Sequence, residues 1–403
     1  MKLPDLRAGS GLGAALAGMA LIAATYGMAR FGVGLFAPLL AAERPQLAGV
    51  LGWAAAAQFS AYCVAAVVAA RLVDRHPRTG LLLAGLTGTA GCVGVALAST
   101  PATFVAAVLI GGMGGGFASP ALVPIIDAVV APAASATAQS VVNAGTAVGV
   151  IGAGLTAFAA ASIGPAWAVM ALICAATTAA AWYPVRHADL ARRPTPASGH
   201  GATSSSPEGW KALVQPGIAA VVAGIGSALI WTFGPLLVTE AGAVAAGRTG
   251  WLWIALGAGG FLGALAGTLV RRTGRRPGWL ICAAALAAAN AALAVAVSAG
   301  NAWAAYAAMA VFGAGYMGLS AVLILWARQV RRNDPGAGTS ILFIALAVGQ
   351  ALGSAGFGVV RDQLPPVLLA GLAAGLCLAG GLSAIRRAGR RGGAERPAPA
   401  PAS

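Results

Sequence analysis

The chain has 403 residues, of which 59% are apolar and only 9% charged, and its mean hydropathy is +0.83. A soluble domain carries about a quarter of its residues as charges to cover its surface, so a water-soluble globular protein is excluded. The net charge of +15 raises nucleic-acid binding, which the placement of the charges then excludes.

About 20 apolar residues at a rise of about 1.5 Å each cross the hydrocarbon core of a bilayer, and twelve such runs follow one another along the chain. The first six are Leu12–Leu40, Gly49–Ala70, Thr79–Ala98, Ala102–Ile126, Ala136–Ala160 and Ala166–Tyr183. The last six are Ile218–Thr239, Thr249–Val270, Pro277–Ser298, Ala302–Trp326, Thr339–Val360 and Pro366–Ile385. Lys2 and Arg7 precede the first run as in a secretion signal, but the run continues to Leu40, too long for a cleaved segment. It is read as a membrane helix. The fold expected is an all-α membrane protein of twelve transmembrane helices in two six-helix halves. Residues 1–185 form the first half, 186–213 a Ser/Gly-rich linker, 214–386 the second half and 387–403 a basic, Pro/Ala-rich tail. The five cysteines stand singly in apolar runs, so neither a disulfide framework nor a metal site is expected.

Placing the N-terminus inside puts 21 of the 25 Lys and Arg residues in cytoplasmic segments. Arg44, Arg248 and Arg361 fall on the other side, and Arg30 lies within the first run. This is the positive-inside pattern. It accounts for the basic charge without nucleic acid and puts both termini in the cytoplasm.

The chain also repeats itself. Phe36-Ala-Pro-Leu-Leu40 matches Phe233-Gly-Pro-Leu-Leu237 at an offset of 197, and Ala70-Arg-Leu-Val-Asp74-Arg75-His-Pro-Arg78 matches Gly267-Thr-Leu-Val-Arg271-Arg272-Thr-Gly274-Arg275 at the same offset. A parallel repeat of two six-helix units is how one large group of transporters is built. The loop at Asp74 resembles the signature after the second helix of the major facilitator superfamily, Gly-x-x-x-Asp-Arg-x-Gly-Arg-Arg. The second copy keeps Gly267 and Gly274 but carries Arg271 where the acid would stand. Gly27-Met-Ala-Arg-Phe-Gly-Val-Gly-Leu-Phe-Ala-Pro-Leu-Leu40, followed by Gln58-Phe-Ser-Ala-Tyr62, resembles the YbfB/YjiJ branch of that superfamily, although Gln58, Phe59 and Ala61 depart from its second motif. The resemblance implies that Asp74, Arg75 and Arg78, with Gly267, Arg271, Arg272, Gly274 and Arg275, latch the cytoplasmic side in one conformation. The competing reading is an ordinary basic loop.

Arg30 is the sharpest single residue. A guanidinium in the hydrocarbon core costs at least about 2.5–3.5 kcal/mol unless it faces protein or water, and no acid lies mid-span to pair with it. An unpaired cation in a central cavity favours an anionic or acceptor-rich solute; the alternatives are bonds to neighbouring carbonyls or snorkelling. Tyr26, Gln58, Tyr62, Asn143, Trp231, Tyr316 and Gln350 are further candidates for the same cavity, since the resemblance implies that their spans surround it. Gly145, Gly149 and Gly152 in the fifth span suit close helix packing. The resemblance to superfamily antiporters would also need a proline there, which is missing. Pro38 and Pro235 are expected to kink or end their helices. Gly111–Gly116 lacks the flanking Lys-Ser/Thr of a phosphate loop.

Together these point to a secondary transporter of a small solute, an organic anion in the leading reading, working as a monomer in a bacterial inner membrane without cofactor or metal. Its partners are the solute and the lipid bilayer. A proton-coupled drug or metabolite efflux pump is the alternative, although no carboxylate or histidine lies deep in a span to carry the proton. A membrane enzyme would need a clustered polar site at one face, and a transporter-like receptor an added soluble domain. Neither is visible.

Overall fold

The computed structural model describes residues 11–73, 75–160, 162–186, 207–330 and 335–384. In a bilayer every backbone N–H and C=O must find its partner within the protein, which leaves helices as the solution for a chain of apolar runs. Among the described residues eleven helices are long and apolar enough to cross a membrane, and a bent pair, taken as one span, makes a twelfth. In chain order they are α1 (Gly11–Arg30, continued by the short helices Gly32–Leu35 and Ala37–Glu43), α2 (Leu51–Leu72), α3 (Pro77–Leu97), α4 (Pro101–Val129), α5 (Pro132–Ala159) and α6 (Ile163–Val185). There follow α7 (Pro207–Glu240), α8 (Gly250–Leu262 with Ala266–Thr273), α9 (Arg275–Ala299), α10 (Ala302–Val330), α11 (Pro335–Val360) and α12 (Pro366–Ser383).

Proline opens several of these helices, at Pro77, Pro101, Pro132 and Pro366, where its missing N–H would have had no partner in any case. Thr100 adds a capping box with Thr103 at the start of α4. The turn into α9 passes through Gly274 at φ +90°, and α9 ends on Gly300 at φ +59°. Both are left-handed positions that glycine adopts without strain.

Two spans differ from the continuous helices that hydropathy predicts. The eighth bends by 42° around Gly263–Leu265. The first is broken three ways: Ala23–Arg30 winds as a π-helix, and turns at Phe31 and Phe36 separate the short helices that follow. By contrast α7, which carries the second copy of the repeated motif, runs as one helix of 34 residues.

Packing repeats along the chain. The pairs α1·α5, α2·α4, α3·α4 and α3·α6 reappear six helices later as α7·α11, α8·α10, α9·α10 and α9·α12. Glycine permits several of these contacts, because a Cβ at Gly259 or Gly313 would collide with the facing backbone across α8·α10. The first six helices meet the last six chiefly along α2·α11 and α5·α8. At the end of the bundle that carries Glu43 and Glu240 this meeting is tight. A Cβ at Gly52 would lie 2.7 Å from Ser354 O, and one at Gly154 would lie 2.6 Å from Gly250 O.

Candidate functional site

The site begins with the irregularity of α1. The Thr25 hydroxyl donates to Leu21 O at 2.7 Å, and α5 comes so close that side chains at its glycines would not fit. A Cβ on Gly145 or Gly149 would run into the backbone of Met19 and Ala23, and one on Gly27 would lie 2.6 Å from Gly149 Cα. Gly152 faces Met28. A π-helical stretch adds a residue to the turn and is frequent at functional sites. Here it ends on Arg30.

Arg30 is 2% exposed. Its guanidinium carbon lies 4.0 Å from the ring centroid of Tyr62, 4.5 Å from that of Tyr26, and 5.1 Å from those of Phe31 and Phe59. Among the described residues no carboxylate pairs with it, and its Nε and Nη1 have no hydrogen-bond partner. A desolvated cation over an aromatic face gains about 0.5–2 kcal/mol, so four rings offset a burial cost of about 2.5–3.5 kcal/mol or more. The ring faces hold the charge, while Nε and Nη1 stay without an acceptor. Gln58 supports the turn by donating from Nε2 to Arg30 O.

Facing this box from the last six helices is a second group. Trp231 on α7 stacks on Phe31 with centroids 3.8 Å apart and planes 14° from parallel. Tyr316 and Phe312 of α10 stand edge-on to Trp231 at 5.2 and 5.3 Å. The Tyr316 hydroxyl donates to Gln350 Oε1 at 3.3 Å. Trp231 Nε1 and Gln350 Nε2 are buried without a partner. The unpartnered atoms of Arg30, Trp231 and Gln350 are all donors. The space left beside Arg30, Phe31, Gln58 and Trp231 is about 10 Å³, enough for about one water. A larger hollow of about 360 Å³ lies between α7 and α11, lined by apolar side chains including Leu213, Val214, Ile218 and Ile341; it offers no charge to recognise a polar solute.

Repeat equivalents meet at this centre. At the offset of 197, Gly34 corresponds to Trp231 and Pro38 to Pro235. Pro235 has no N–H to give to the carbonyl four residues back, which is that of Trp231. Gly34 packs directly on this freed oxygen, where a Cβ would collide with it. Pro235 sits inside α7, whereas Pro38 opens the short helix Ala37–Glu43.

Seven of the eight residues predicted for the cavity thus come together: Arg30, Tyr26, Gln58, Tyr62, Trp231, Tyr316 and Gln350. Asn143 does not; it is exposed on α5. Phe31, Phe59 and Phe312 also belong to the cluster, beyond the residues that the sequence predicts for it. Phenylalanine in a membrane span carries no polar signal; only the adjacency of Phe31 to Arg30 pointed to it.

In the basic loops, Asp74 lies outside the described residues. Arg78 donates from Nε to Val185 O at 2.9 Å, at the end of α6. Its repeat equivalent Arg275 donates to Gln329 Oε1 at 2.9 Å and lies 5.5 Å from the Trp326 ring. Arg271 donates to Thr268 Oγ1 at 2.8 Å. The Arg78 bond joins two of the first six helices and the Arg275 bond two of the last six, while the Arg271 bond stays within α8. Arg75 and Arg272 are exposed, and Gly267 is half-buried.

A bundle of long apolar helices with a buried cation and polar aromatics at its centre defines a polytopic membrane protein. The sequence model of the Major Facilitator Superfamily matches residues 19–354, and the chain belongs to that family. Solved structures share the fold at low identity. A nucleoside transporter NupG mutant aligns with TM-score 0.73 and 13% identity over 92% of this chain and 99% of its own. A D-xylose-proton symporter aligns with TM-score 0.68 and 16% identity over 93% and 96%. A POT family transporter in complex with 5-aminolevulinic acid aligns with TM-score 0.74 and 9% identity over 92% and 94%. No curated protein matches the chain in sequence.

Proposed function

We propose that the protein is a secondary transporter of a small organic anion, working by alternating access around Arg30. The observation that carries this reading is the buried guanidinium with two unpartnered nitrogens, in a centre whose other unpartnered side-chain atoms, on Trp231 and Gln350, are donors. A solute entering such a site supplies acceptors, and an anion also neutralises the charge. The nucleoside and sugar transporters that share the fold support carriage of small polar solutes in general.

The recurrence of helix pairings supports two six-helix halves, residues 1–185 and 214–386, that rock about the centre. The joints α2·α11 and α5·α8 are closed at the end bearing Glu43 and Glu240. The basic loops at Arg75–Arg78 and Arg271–Arg275 then lie on the cytoplasmic side with both termini, in a bacterial inner membrane, and latch the opposite state. The Gly27–Leu40 motif supports the YbfB/YjiJ branch of the family, and a single chain contains the whole pathway.

The test is flux into proteoliposomes of purified protein with panels of carboxylates, neutral solutes and cationic drugs, comparing wild type with Arg30→Ala. Loss of anion flux in the variant supports the reading. Cation efflux that is indifferent to Arg30 would replace it with the drug-pump alternative.

A further inference from the structure

Resting on the anion reading of the same site, we propose that the substrate is a monocarboxylate with a flat ring as its body, and that Phe31 stands where this ring binds. The charge count sets the first half of this class. Arg30 is the one charged residue buried among the described residues, so it balances one negative charge. A second carboxylate would stay uncompensated in a medium of low dielectric, at a cost of several kcal/mol.

The walls set the second half. Around Phe31 the partner rings form a slot for one flat body: Trp231 lies face-on at 3.8 Å, while Tyr316 stands edge-on at 83°. The guanidinium carbon of Arg30 lies 5.1 Å from the Phe31 centroid. A ring in the place of Phe31, bearing a carboxylate on its Arg30 side, would keep the stack on Trp231 and bring acceptors to Arg30 Nε and Nη1. Phe31 itself can fill the slot but cannot satisfy those donors.

The backbone supplies the reason that Phe31 is the side chain to yield. The space of about 10 Å³ beside it admits no organic solute, so binding requires a side chain to leave. Phe31 is the turn between the π-helical Ala23–Arg30 and the helix Gly32–Leu35, with Gly32 and Gly34 following it. Discontinuous membrane helices mark substrate sites in carriers of this kind. Trp231 sits on continuous α7 and is held by edge contacts to Phe312, Tyr316 and Trp253.

The experiment measures binding and exchange of labelled benzoate by the full-length protein in proteoliposomes, with benzamide, phthalate and propionate as competitors. Benzoate is expected to bind at least about tenfold tighter than each of them. In Phe31→Ala the slot no longer has to be emptied, so benzoate affinity is expected to rise about tenfold. That gain should vanish in Arg30→Gln/Phe31→Ala, which separates recognition from mere filling of an apolar hole. If Phe31→Ala is not monodisperse, Phe31→Leu replaces it, with a smaller gain of the same sign. Equal binding of benzoate and benzamide overturns the proposal, as does a folded Phe31 variant with unchanged benzoate affinity. Arg30-dependent flux of a ringless or dianionic carboxylate, without benzoate, also overturns it but leaves the anion reading standing. No Arg30-dependent flux of any anion overturns both.

Discussion

Helices α1 and α7 carry two copies of one short motif and are otherwise opposites. At equivalent positions α1 has Arg30 where α7 has Ser227, and Tyr26 where α7 has Ala223. Ser227 needs nothing from a solute, because its hydroxyl donates to Gly224 O at 2.9 Å within its own helix. Accordingly α7 winds without a break through its 34 residues, while α1 changes helical type before Arg30 and turns twice after it. The pair teaches that a symmetric scaffold can carry an asymmetric site. One helix supplies charge and a joint that can move, and its counterpart supplies a rigid ring to bear against.

That comparison can be broken at several points, beginning with the charge. Arg30→Ala is expected to reduce anion flux at least a hundredfold in proteoliposomes, consistent with the about 3 kcal/mol or more that a buried charged contact carries. Wild-type flux in a folded variant would show that the charge is structural. Gly34→Leu drives a side chain into the Trp231 carbonyl, a backbone atom that cannot step aside, so α1 and α7 must part. Overpacking of this kind costs about 1–3 kcal/mol, and a lower melting temperature together with at least about tenfold slower flux is expected. Pro235→Ala separates the two measures. It returns an N–H to the Trp231 carbonyl and removes a helix-interior proline, whose cost is about 3 kcal/mol. The melting temperature should rise while flux falls a few-fold, because Gly34 loses the oxygen it rests on.

The smallest effects test the outer ends. Glu43 and Glu240 are also repeat equivalents. Glu43 accepts from Ile163 N at 3.0 Å at the start of α6, whereas Glu240 pairs with Arg361 at 3.0 Å. Glu43→Gln should cost about 0.3–1 kcal/mol through the lost charge at a helix N-terminus. Glu240→Gln should cost about 0–1 kcal/mol, since that pair is solvent-facing and Glu240 is 47% exposed. Thermal unfolding in detergent reads both.

Much of this architecture was legible in the sequence because a bilayer leaves a chain few choices. Apolar runs of about 20 residues become helices, and an offset shared by two motifs predicts pairings that recur six helices apart. The breaks were not legible. Nothing in the hydropathy of Ala23–Arg30 distinguishes a π-helix from an α-helix, and the close approach of the α5 glycines to that segment is set by packing across the bundle. Arg30 stood out by its cost, and its polar companions by their scarcity in apolar spans. Phe31 and Gly34 could not, since their importance comes from what faces them across the bundle. Asn143 shows the converse: a polar residue on an expected cavity helix that the packing leaves outside the cluster.

The most direct measurement is carboxylate flux into proteoliposomes by three proteins: wild type, Arg30→Ser, and the exchanged Arg30→Ser/Ser227→Arg. If recognition belongs to the ring-walled place at the end of the π-helical stretch, wild type transports, Arg30→Ser does not, and the exchange fails to restore it. Transport by Arg30→Ser at the wild-type rate, or full recovery on moving the arginine to α7, would contradict the account.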